Sequence, residues 1–145
     1  MTVTEFLKTR VAFLGGITEE QALALASRVE QRSYAAGQTV VFRGTSVDGL
    51  SVVASGRVGI WVKIKNAPAP VMAAELKTGE VFGEGSLLES GMAGATVKAI
   101  EDETLVFVIA QEAFFEVLAE APELRSRAEA LLAERRRRNS EMTVN

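Results

Sequence analysis

Neither cysteine nor histidine occurs among the 145 residues. Without cysteine there is no disulfide, no thiolate zinc site, no iron–sulfur cluster and no thiol nucleophile. Without histidine there is no Ser-His-Asp triad, no imidazole general base and no HExxH zinc site. Carboxylates alone could still hold calcium or magnesium. The acids form no DxD-type calcium loop, however, and no GxxxxGK[ST] phosphate loop exists. Glu101-Asp102-Glu103 reads as an acidic turn before a strand rather than as a metal site. These absences argue against an enzyme, and no catalytic residue, metal ligand or cofactor is assigned. No apolar run approaches the ~20 residues that cross a bilayer. The opening residues Met1 to Phe6 lack the basic-then-apolar plan of a secretory leader. The expected location is therefore cytoplasmic, for a whole protein or for an excised piece of a longer one.

What is present suits one domain. Hydrophobic residues make up 48% and charged residues 24%, near globular averages. A chain of this length buries about two-thirds of its unfolded surface. The net charge is −3, but it is uneven. Residues 1–120 carry 10 basic and 15 acidic side chains, net −5; residues 121–145 carry 6 and 4, net +2. The overall balance gives no strong pull toward nucleic acid. The run Arg135–Arg138 reads as a solvated helix terminus that complements the helix dipole, rather than as a contact for nucleic acid or anionic lipid.

The periodicity changes twice along the chain. A short helix is predicted around Thr4–Arg10. Thr18 with Gln21 forms a capping-box pattern, and Ala22, Leu25, Ala26 and Val29 follow on one helix face. From Gln31, frequent glycines separate short β-rich runs: Val40–Phe42, Leu50–Ala54, Val58–Ile64, Val71–Leu76, Ala95–Ile100 and Leu105–Ile109. In the clearest, Val58, Ile60, Val62 and Ile64 alternate with Arg57, Gly59, Trp61 and Lys63. Ser55-Gly56 reads as a hairpin turn. Short strands with frequent turns mean an antiparallel sandwich or barrel. Helical spacing returns with Phe114, Phe115 and Leu118. Pro122 then opens a last helix that has Leu124, Ala128 and Leu131 on one face and Arg135 and Arg138 on the same azimuth. That helix is expected to dock by its first half and project by its second. The domain plan is helices over 1–30, a barrel over 31–110, helices over 111–138 and a frayed tail over 139–145. No helix-turn-helix fits in addition.

The chemistry concentrates in residues 79–99. Gly83-Glu84-Gly85 is a tight turn into one helical turn, Ser86-Leu87-Leu88. Amides at such a start have no intrahelical acceptor and can face an anion. Ala93, Gly94 and Ala95 are small enough for a second backbone stretch to approach. Glu84 sets a carboxylate beside this cradle. A carboxylate next to an anion site makes sense as the acceptor for a hydroxyl on the same ligand, so the segment suggests a sugar-phosphate pocket.

These residues resemble the phosphate-binding cassette of the cyclic nucleotide-binding domain family, of the catabolite-activator and protein kinase A regulatory-subunit type. The family pattern runs roughly FGE-[hydrophobic]-A-L-x-(several)-P-R-x-A-T-V-x-A. Phe82-Gly83-Glu84, Leu87 and Ala95-Thr96-Val97-Lys98-Ala99 match it at the right spacing. Gly37, Gly44 and Ser55 to Val58 fall where the family has its barrel glycines. The resemblance covers residues from about 10 to 135. It implies a mainly β fold with flanking helices: an antiparallel jelly-roll barrel, or double-stranded β-helix, with N-terminal helices and two C-terminal ones.

The resemblance further implies a regulatory domain that senses a small-molecule nucleotide. Its ligand residues would be Phe82, Gly83, Glu84, Gly85, Ser86, Ala93, Gly94, Ala95 and Thr96, with Ile60 and Ala74 on the ribose and base side. An effector domain, or a homodimer through the C-terminal helix, would be its partner. The departures bear on affinity. The family's phosphate-pairing arginine falls on Ala93 and its preceding proline on Met92, while Gly85 and Ser86 replace a large hydrophobic residue and an alanine. No arginine or lysine lies between Lys77 and Lys98, and Arg57, Arg125 and Arg127 read as solvated residues. Weak binding of cyclic AMP or cyclic GMP is the expectation, unless another cation substitutes. Gly94, where guanine-selective members carry a hydroxyl, tilts the preference toward cyclic AMP. Two other readings stay open: a scaffold for interaction or dimerisation that keeps only the fold, and a sensor of a different anion.

Overall fold

The computed structural model describes residues 1–89 and 91–143, and the side chains through Arg137 apart from Ser90. Helix α1 (Val3–Thr9) is capped by the Thr2 side chain. A 3-10 turn (Ala12–Leu14) leads to α2 (Glu19–Ala26). The capping box at α2 forms as expected: Thr18 Oγ1 accepts from the Gln21 amide, and Gln21 Oε1 accepts from the Thr18 amide, each at 3.0 Å. The helix stops at Ala26, however. Val29, expected on its apolar face, instead opens strand β1 (Val29–Tyr34).

Seven further strands follow: β2 (Thr39–Val41), β3 (Gly49–Ser55), β4 (Arg57–Val62), β5 (Val71–Lys77), β6 (Val81–Phe82), β7 (Thr96–Ala99) and β8 (Thr104–Ala110). Helix α3 (Glu84–Leu88) interrupts them between β6 and β7. Helices α4 (Gln111–Glu120) and α5 (Pro122–Thr143) close the chain. The strands build two four-stranded antiparallel sheets, ordered β1-β8-β3-β6 and β2-β7-β4-β5. This is the jelly-roll barrel with flanking helices that the sequence implies.

Strands β3 and β8 are apolar on both faces, which explains why each reads as a continuous hydrophobic run. Leu50, Val52, Phe107 and Ile109 join the helices in one core with Leu7, Leu14, Leu25, Phe114 and Leu118. Val53, Val106 and Val108 face inward with Phe82 of the same sheet to meet Val58, Leu76 and Val97 of the opposite sheet.

Several local expectations are revised. Ser55-Gly56 is not a hairpin: β3 pairs with β6 and β8, whereas β4 pairs with β5 and β7. Both edges of β3 are taken, so the chain turns out of that sheet into the other, with Gly56 at φ +78°. Strand β1 escapes sequence reading because its alternation is polar on an exposed face (VEQRSY) and β8 alone holds it. Ile64 lies beyond the end of β4. Trp61 folds back over Gly59 of its own strand, with the Lys98 ammonium 5.4 Å from its ring centroid. Helix α5 runs to Thr143, past the residue 138 expected as its end. Val144, Asn145 and the side chains from Arg138 onward lie outside the described residues. Among the described residues no helix is long and apolar enough to cross a membrane.

Candidate functional site

The cassette expected from the sequence folds around a cavity of about 260 Å³, near the lower bound of ~300 Å³ for small-molecule clefts. Phe82, at the end of β6, forms part of its wall. Gly83 turns the chain at φ +91°, a left-handed conformation that a Cβ would disfavour, and this launches α3. Gly85 and Ser86 of α3 line the cavity beside it. Across the cavity, Ala93 is held by backbone bonds on both sides. Its amide donates to Thr45 O, and the Gly44 amide donates to Ala93 O, each at 2.8 Å. Val47 N reaches Gly91 O at the same distance. Residues 91–93 thus lie along the 44–47 loop, and the small residues Ala93, Gly94 and Ala95 line the cavity there.

Of the eleven ligand residues expected, nine line this cavity: Ile60, Phe82, Gly83, Glu84, Gly85, Ser86, Ala93, Gly94 and Ala95. Thr96 and Ala74 do not. The Thr96 hydroxyl accepts from the Arg43 amide at 3.2 Å, so it ties β7 to the 42–45 turn. Ala74 pairs with Ile60 across β4 and β5.

Glu84 is the anomaly. It is 1% exposed, and a charged carboxylate that deep is costly unless paired. One oxygen is paired: Oε1 accepts from Arg135 Nη1 at 2.7 Å. The other, Oε2, is buried with no hydrogen-bond partner among the described residues. Burial pushes the Glu84 carboxyl above its ordinary range, and the Arg135 guanidinium pulls it back down. The site therefore holds a buried carboxylate in the cavity wall, with one oxygen bonded to Arg135.

Arg135 is a cavity residue that sequence reasoning misses, because its run of arginines reads as a solvated helix terminus. Instead, α5 stays against the cassette from Leu132 to Arg136. Leu132, Arg135 and Arg136 all line the cavity. Arg135 also donates from Nη2 to Val81 O at 2.8 Å, and Arg136 pairs with Glu89. Gly85 makes room for this: a Cβ there would sit 2.6 Å from Leu132 Cδ1. The spacing puts Arg135 on the docked face with Leu124, Ala128 and Leu131, at i, i+4, i+7 and i+11, but does not say what that face meets.

The other cations considered lie elsewhere. Arg127 is not a solvated side chain, since its Nη1 donates to Phe13 O and Gly15 O at 2.7 and 2.9 Å. Arg57 pairs with Glu101 at 2.6 Å and Glu75 at 3.6 Å. Arg125 is exposed.

A model of the cyclic nucleotide-binding domain matches residues 31–121. The Cyclic AMP receptor protein of Thermus thermophilus is 33% identical over 131 residues, which are 90% of this chain and 59% of that protein. Human cGMP-dependent protein kinase 2 is 24% identical over 128 residues, 88% of this chain and 17% of the kinase. The chain thus spans under two-thirds of each of these relatives. Among solved structures, the Thermus thermophilus catabolite activator protein superposes with a TM-score of 0.72 at 30% identity, covering 88% of this chain and 59% of that one. The regulatory domain of Toxoplasma gondii PKA, crystallised with cAMP, gives 0.77 at 20% identity over 88% and 48%; that likeness bears on the fold alone.

Proposed function

Because this chain belongs to the cyclic nucleotide-binding domain family, we propose that its cavity receives a cyclic nucleotide and that the domain is a regulatory sensor rather than a catalyst. The observation that carries this reading is Glu84: a buried carboxylate on a residue of the cavity wall, with one oxygen that has no hydrogen-bond partner among the described residues. A ribose hydroxyl is the kind of donor that oxygen accepts. Binding is weak, because Ala93 offers the phosphate no charge and a charged donor contributes ~1.5–3 kcal/mol net, roughly ten- to over a hundredfold in affinity. Cyclic AMP is favoured over cyclic GMP, since Gly94 brings no hydroxyl. The relay is α5, whose Leu132 and Arg135 touch the cassette. A ligand that changes the cassette's contacts with α5 shifts the population of its positions, and a cytoplasmic effector or second protomer joined through that helix reads the shift.

Calorimetry with both nucleotides, on the native chain and on Ala93→Arg, tests this. The native chain should bind with a dissociation constant above the micromolar range, and Ala93→Arg about ten- to a hundredfold more tightly. Submicromolar binding by the native chain contradicts the weak-site argument. Binding by neither protein removes the sensing account and leaves the scaffold reading, whose mark is a concentration-dependent dimer.

A further inference from the structure

We propose that Arg135 is the cation the cassette lacks, so that an anionic ligand is clasped between the cassette and the last helix. The inference rests on the reading that this cavity takes a phosphorylated nucleoside. No lysine or arginine occurs from residue 78 to residue 97, so any charge offered to a phosphate must come from another element. Arg135 and Ala93 line the same cavity. Arg135's reach depends on two things. Leu132, one turn earlier on the same helix face, packs where a side chain on Gly85 would stand. The Nη2 bond to Val81 O then fixes the guanidinium beside β6.

The Glu84 and Val81 bonds engage two of the five N–H donors of a guanidinium. Arg135 is held by Glu84, whose second oxygen has no donor among the described residues. A ligand that brings both a hydroxyl and an anion fits that arrangement. The hydroxyl donates to Glu84, and the anion takes over the guanidinium. The exchange keeps both charged groups partnered, which a neutral ligand cannot do for Arg135. It also means that the ligand's charge acts directly on α5. Because Arg135 must first give up Glu84, its contribution stays below that of an arginine placed at position 93.

The test compares cyclic AMP with adenosine, which lacks the phosphate, by NMR titration of the full chain. Arg135→Gln should weaken cyclic AMP at least about tenfold and leave adenosine unchanged. Arg135→Lys should keep most of the cyclic AMP affinity, and Ala93→Arg in the Arg135→Gln background should restore it. Equal or tighter cyclic AMP binding by Arg135→Gln overturns the proposal and makes Arg135 only a competitor for Glu84. An equal loss of both ligands also overturns it, because the role is then structural. If neither the native chain nor Ala93→Arg binds either cyclic nucleotide, the cavity reading itself fails and this inference falls with it. Should Arg135→Gln not fold, the same step is made in a Glu84→Gln background, which leaves no buried carboxylate to be paired; retained cyclic AMP affinity there overturns the proposal and a tenfold loss supports it.

Discussion

Arg135→Ala tests the buried pair most directly. The substitution removes a hydrogen bond to a carboxylate, a contact that contributes about 1.5–3 kcal/mol, and one to the Val81 carbonyl, about 1 kcal/mol. It also strands the Glu84 carboxylate in the interior, and breaking a buried pair from one side costs about 3–5 kcal/mol. The upper end is not expected here, because the Arg135 side chain is 20% exposed and because an unpaired carboxyl can take up a proton. The expected loss is about 3 kcal/mol at pH 7, or roughly 6–12 °C in melting temperature. Its pH dependence is the sharper signature. Glu84 titrates above its unfolded value in the folded chain. Its contribution is therefore fully present below its ordinary value of 4.5 and is lost as pH rises through the folded value. Removing Arg135 takes away the pull that lowers the folded value, so the loss deepens. Urea denaturation from pH 4 to 8 should show the Arg135→Ala deficit smallest at the acid end and largest at the alkaline end. Adding Glu84→Gln should recover roughly half of the deficit at pH 7, since an amide carries no charge to strand. A deficit below about 0.5 kcal/mol, typical of surface pairs, or one that does not change with pH, would refute the buried-pair argument.

Three other substitutions probe the scaffold of the site. Gly85→Ala places a methyl group against Leu132 Cδ1 and should loosen α5, seen as faster amide exchange in that helix; Leu132→Ala in the same chain should reverse part of the effect. Gly83→Ala, at φ +91°, should cost about 1–2 kcal/mol in urea denaturation, with a near-zero cost contradicting the left-handed turn. Phe114→Ala, fully buried between Phe13 and Phe115, should cost about 3–5 kcal/mol while leaving the chemical shifts of the cassette residues largely in place.

The parts of the site that read from the sequence are those made by neighbours in the chain. Gly83, Glu84 and Gly85 are consecutive, and their turn follows from glycine's backbone freedom. The capping box at Thr18 and Gln21 is equally local. The strands that alternate or run apolar, β3, β4 and β8, announce themselves because burial on one face or both dictates their residue types. Strands β1 and β6 do not: one is half polar, and the other is two residues long.

Sequence alone determined the class of fold, the identity of the cassette and the absence of a cation within it, because each depends on residue type and short spacing. The tertiary structure decided which cation meets the cassette. Arg135 meets Glu84 across 51 residues, and no local pattern specifies such a contact. It arises because Leu124 and Ala128 bury α5 against the helical core, the bare backbone at Gly85 lets the next turns of the helix settle on the cassette, and a carboxylate sealed from water takes the guanidinium that this packing brings within reach.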